Sequence, residues 1–138
     1  MRIWHKDLVR NLPNKQLLGQ WRELCLIARN IHEKGTPNHL LVNRVMDYPL
    51  GHLVLYSYLV RDEMIERGWN PDYNRFEQWI PEEVFDDARN YTLKDVFSDW
   101  HDRNYYHICF YNLMEKHNCG GISDIEWRRI VNSVSDIS

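Results

Sequence analysis

Two groups near the start of the chain have the chemistry to act together: the α-amine of Met1 and the carboxylate of Glu23. An α-amine holds its proton less tightly than a lysine, so more of it is free to act as a nucleophile near neutral pH. Amines of this kind form Schiff bases with carbonyl carbons. Trimming of an initiator methionine requires a small second residue, and Arg2 is large, so Met1 is expected to stay in place. Glu23 falls at the edge of an apolar helix stripe. A carboxylate there is either a plain surface acid or a partly desolvated catalytic group. Its neighbour Arg22 points to the far side of the same helix, so the two are not a local ion pair.

Other chemistries find less support. Seven histidines and three cysteines (Cys25, Cys109, Cys119) raise the question of a metal. His117, Cys119 and Cys109 match no standard zinc spacing, and no metal or cofactor is expected. Cys109 reads as a buried helix residue and Cys119 as part of a helix C-terminal turn. Gly120-Gly121 ends a helix rather than cradling a phosphate. No G-x-S-x-G elbow is present. Trp21, Trp100 and Trp127 fit helix core positions. The run Arg103-Asn104-Tyr105-Tyr106-His107 mixes cations and rings and could touch a nucleic acid, but a helix with Tyr106 facing inward is favoured.

These groups must be positioned by a small framework. The 138 residues fit one domain, 1–138. No run of 18 apolar residues is present and no signal peptide is visible, so a cytoplasmic, reduced protein is expected. The formal net charge is −3, which argues against indiscriminate polyanion binding. The charge is uneven, however. Residues 1–50 carry eight basic against four acidic residues, and the rest of the chain is acidic, most of all between 76 and 102. A polyanion would be met by the N-terminal part.

The periodicity predicts an all-α fold with two long helices and several shorter ones. The first runs from Gln16 to Lys34, with Leu17, Trp21, Leu24, Ala28 and Ile31 as its stripe, widened by Leu18 and Cys25. Gly35-Thr36-Pro37 stops it. The second runs from about Gly51 to Arg67 on Leu53, Tyr56, Leu59, Val60 and Met64. Pro81 suits the first residue of a helix reaching about Arg89. Thr92 is a candidate N-cap for a further helix, divided by a turn near 100–102 from a helix over 103–118. Ser123-Asp124-Ile125-Glu126 is a capping box, followed by a Trp127, Ile130, Val131, Val134 face.

With the elements in order, a family resemblance emerges. Met1-Arg2-Ile3, Leu8-Val9, Leu12, Leu17 and Arg22-Glu23-Leu24 resemble the start of the phage endonuclease V family of pyrimidine-dimer DNA glycosylase/AP lyases. Gly51-His52, Glu66-Arg67-Gly68-Trp69 and Trp79-Ile80-Pro81-Glu82 resemble later parts of it. The stretches MRIWH, QLLGQWRE (16–23), TPNHLLVN (36–43) and CGGIS (119–123) resemble a bacterial branch of small relatives across most of the chain.

The resemblance implies an enzyme acting on double-stranded DNA with a damaged or modified pyrimidine. An N-terminal amine attacks the deoxyribose C1′ and forms an imine, a helix glutamate assists, and β-elimination nicks the strand. Carried over, Met1 is the nucleophile and Glu23 the carboxylate. Arg2 and Arg22 would meet phosphate or sugar. His5 is a further DNA contact, taken from its nearness in sequence, with an ordinary hydrogen-bonded histidine as the other reading. A monomer without membrane attachment or small-molecule cofactor is expected. The family's nucleophile is a threonine exposed after methionine removal, whereas the matching position here is Met1. The alternative is a non-catalytic helical module that keeps the fold and binds nucleic acid or protein.

Overall fold

The computed structural model describes the backbone of residues 1–137 and the side chains of 1–134. Among the described residues there is no strand, and the fold is all-α. A 3₁₀ helix, Lys6–Asn11, leads into α1, Asn14–Lys34. A second 3₁₀ helix, Asn43–Asp47, precedes α2, Leu50–Glu66. The short α3 (Asn74–Glu77) and α4 (Glu82–Ala88) follow, then α5 (Arg103–Asn118) and α6 (Asp124–Ile137). No helix among the described residues is long and apolar enough to cross a membrane.

Helix α2 is the central element. Its predicted stripe is buried, and so are Gly51, His52, Val54 and Ser57, which leaves little of its circumference to solvent. A helix buried nearly all round must have neighbours on several sides. It packs on α1, α4 and the first 3₁₀ helix. Gly51 permits a close approach to α4, because a Cβ there would stand 3.1 Å from the backbone of Ala88. Arg67, just past the end of α2, ties it to the α1 entry. Its guanidinium donates to Glu63 at 2.8 Å, to the Asn14 side chain at 2.9 Å and to the Arg10 carbonyl at 3.2 Å.

Helix α1 ends at Gly35 with φ 74°, the left-handed stop expected there. Its N-terminus is capped from a distance. The Glu126 carboxylate accepts the Asn14 N–H at 2.8 Å while also accepting from the Ser123 hydroxyl, so the capping box of α6 serves two helices.

Three local expectations are corrected. Leu18 is 37% and Val131 42% exposed, so neither widens a core face. The segment after Thr92 forms consecutive turns rather than a helix. Thr92 and Asp95 do close a first turn. Phe97 then adopts φ 51°, fully buried, with its N–H given to His52 Nδ1 at 3.1 Å, and that ends any helical run.

Candidate functional site

The chain before Lys6 is extended, and its backbone needs partners that no sheet provides. Side chains supply them. The Arg2 N–H donates to Glu23 Oε2 at 3.3 Å. The Gln20 amide donates to the Arg2 carbonyl at 2.9 Å and its oxygen accepts the Trp4 N–H at 2.8 Å. The Tyr105 hydroxyl donates to the Ile3 carbonyl and the Tyr56 hydroxyl to the Trp4 carbonyl, each at 2.6 Å. Gln20 and Glu23 are one turn apart on α1, so a single helix flank carries both. Burial pushes Tyr56 and Tyr105 above the ordinary tyrosine range, which keeps both hydroxyls as donors at neutral pH.

This arrangement places the two expected catalytic groups near each other. Consecutive backbone nitrogens stand no more than about 3.7 Å apart, so the Met1 amine lies within about 7 Å of the Glu23 carboxylate. Met1 and Glu23 are both partly exposed. That distance admits cooperation through one water or a substrate atom. The Arg2 guanidinium lies over the Trp4 ring, 5.7 Å from its centroid, and borders the Tyr105 hydroxyl.

His5 has a different position from the one expected of a DNA contact. It is 3% exposed. Its Nε2–H donates to the His101 carbonyl at 2.8 Å and its Nδ1 accepts the Asp7 N–H at 3.1 Å, which caps the first 3₁₀ helix. Burial lowers its pKa, so the neutral ring suited to these bonds is the favoured one. With both nitrogens engaged it acts as a positioning residue. His101 stacks on it at 5.0 Å and accepts the Lys6 N–H at 3.0 Å. Lys6 in turn donates its ammonium to the carbonyls of Leu93, Lys94 and Val96.

Arg22 sits on the other flank of α1, exposed, in a cleft shared with Trp21, Trp69 and Arg75. The exposed ridge of α1 therefore separates it from Glu23. Thiol chemistry has no foothold at the buried cysteines, because burial pushes Cys25 up to about 11 and raises Cys109 as well.

The residues that sequence reasoning missed are Gln20, Tyr56, Tyr105 and His101. Tyr56 shows in the sequence only as a core-stripe position and Tyr105 only within a mixed run of cations and rings, whereas Gln20 stands out as a long amide one position before Trp21 on a face otherwise given to the core.

Comparison with known families matches residues 1–77 to the one described as pyrimidine dimer DNA glycosylase. Those residues span the extended N-terminus, α1, α2 and α3. No curated protein and no solved structure matches the chain.

Proposed function

The chain belongs to the pyrimidine dimer DNA glycosylase family, and from that premise we propose that it is a DNA glycosylase/AP lyase working through the Met1 α-amine. The observation that carries this reading is the hydrogen bond from the Arg2 N–H to Glu23, which holds the first residue beside the one helix carboxylate the chemistry needs.

The unprotonated amine gives its lone pair to the deoxyribose C1′. The C1′–N bond to the pyrimidine breaks, its electron pair leaves with the base, and the base takes up a proton. Opening of the sugar at O4′ and loss of an amine proton give the imine. Removal of the C2′ proton then expels the 3′ phosphate by β-elimination, and water restores the free amine. Glu23 exchanges protons at O4′ and C2′ in this reading. Arg2, on the same side, and Arg22, across the α1 ridge, neutralise phosphates of the bound duplex. His5 contributes by holding the chain that carries Met1. Preorganisation of this kind lowers the barrier, because the amine need not be ordered at the moment of reaction.

Borohydride trapping on abasic-site DNA tests the reading. A covalent adduct mapping to Met1 is expected, abolished by acetylation of the N-terminus and strongly reduced by Glu23→Gln. An unreactive free amine, or trapping undiminished in Glu23→Gln, sinks the mechanism.

A further inference from the structure

The loop after α1 presents two leucines to solvent: Leu40 is 88% and Leu41 51% exposed. The loop that carries them is built, not loose. Asn38 takes φ 57°, and the His39 carbonyl accepts from both the Val42 and Asn43 N–H groups. The His39 N–H donates to the Asn43 side chain at 3.0 Å, and Val42 is fully buried beneath the tip. Holding two adjacent large apolar side chains in water on a pinned turn opposes the hydrophobic effect.

Two independent ties connect this loop to the elements that carry the proposed reaction site. Asn30 donates to the Pro37 carbonyl at 3.2 Å. Asn30 is seven residues beyond Glu23, so it projects from nearly the same flank of α1 about 10 Å further along. On the other side, the Arg44 guanidinium lies over Trp100 at 5.8 Å. Trp100 packs on Tyr105 at 5.6 Å, and Tyr105 holds the Ile3 carbonyl next to Arg2. The loop that carries the leucines is thus tied at Pro37 to the α1 flank that bears Glu23 and, through Arg44 and Trp100, to the tyrosine that holds Ile3.

A cation and an apolar tip on one loop, tied to the elements that hold a sugar-attacking amine, suit a phosphate backbone with a base stack behind it. Proteins that kink DNA use apolar side chains in this way, entering a base step and partly unstacking it. Enzymes that work on a nucleotide need the stack opened, which is easiest at a lesion. The geometry points to Leu40, supported by Leu41, as the wedge that enters the duplex beside the reacting nucleotide. This inference rests on the DNA-lyase reading and adds to it the residues that open the base stack.

The test uses the full chain, the double variant Leu40→Ser/Leu41→Ser, and Ile125→Ser, an exposed apolar control on α6. The probe is a duplex holding a tetrahydrofuran abasic analogue with 2-aminopurine at the neighbouring step. The wild type is expected to raise 2-aminopurine emission several-fold. The double variant is expected to lose that rise and bind the duplex at least tenfold more weakly, with Ile125→Ser like the wild type. Trapping on abasic DNA should fall tenfold on duplex and less than twofold on single strand. Equal emission and equal duplex binding by the double variant overturn the wedge. A change in oligomeric state with DNA binding intact also overturns it and assigns the leucines to a second copy of the chain. The analogue undergoes no chemistry, so a wild type that traps nothing refutes the imine reading while the emission still judges the wedge.

Discussion

The Arg2 N–H and the Glu23 carboxylate meet at 3.3 Å across 21 residues of sequence. One bond of this kind would be weak alone. Here it is the outermost of a series that pins residues 2–5 from three helices and the turn before α5, so the position of the first residue is inherited from the core.

That dependence makes Gln20 the residue to remove. Gln20→Leu deprives the buried Trp4 N–H and the Arg2 carbonyl of their partners. Each orphaned group costs about 1–3 kcal/mol, so a loss of about 2–6 kcal/mol is expected in urea denaturation. Trapping, measured where the variant is still folded, should drop further than Tm, because the amine loses its fixed position.

The catalytic pair predicts a split between chemistry and binding. Glu23→Gln should lower the trapping rate by about a hundredfold, the lower range for a lost acid–base group, with duplex affinity nearly unchanged. Arg22→Ala should leave the trapping rate at saturating DNA intact. It should weaken binding and reduce the slope of log K against log salt by about 1. One added residue ahead of Met1 should abolish trapping at Met1 by moving the amine away from Glu23.

Acid should unfold the protein through its buried histidines. Burial lowers His101 to about 2 and also lowers His5 and His52. The unfolded chain therefore binds more protons than the folded one below about pH 6.5, and stability falls as pH drops through that value. Each such histidine removes up to about 1.4 kcal/mol per pH unit until its folded pKa is reached. Thermal melts between pH 7 and pH 5 should show this. His101→Asn, which keeps an acceptor for the Lys6 N–H, should flatten the slope by one proton.

Two glycines should respond in opposite directions. Gly51→Ala puts a Cβ 3.0 Å from Asp87 Oδ2 and 3.1 Å from the Ala88 backbone, and forcing α2 and α4 apart should cost about 1–3 kcal/mol. Gly19→Ala meets nothing within 4 Å inside a helix and should stabilise by about 0.5–1 kcal/mol. Chemical denaturation of both variants checks the pair.

The helices and their ends were legible because local physics sets them. Leu17, Trp21, Leu24 and Ala28 repeat at the helical period, Gly35 supplies the left-handed stop, and Ser123 with Glu126 closes a capping box. Thr92 offered an equally local start signal, and it failed. The competing fact lies at Phe97, whose burial against α2 outweighs the helical geometry the sequence suggests. For His5 the sequence left two readings open, and nearness to Met1 does not reveal that the ring turns inward to His101.

By itself the sequence determined the all-α class, the long helices, the basic N-terminal part and, through the Arg22-Glu23-Leu24 helix, the family. The helices are carried by neighbours within a turn or two, and the charge bias and the family by stretches read directly along the chain. Only the tertiary structure decided that Glu23 reaches Arg2, that Gln20 clamps the start of the chain, and that Leu40 stands out in solvent. Contacts across tens of residues depend on how helix faces meet, and no spacing along the chain encodes that meeting.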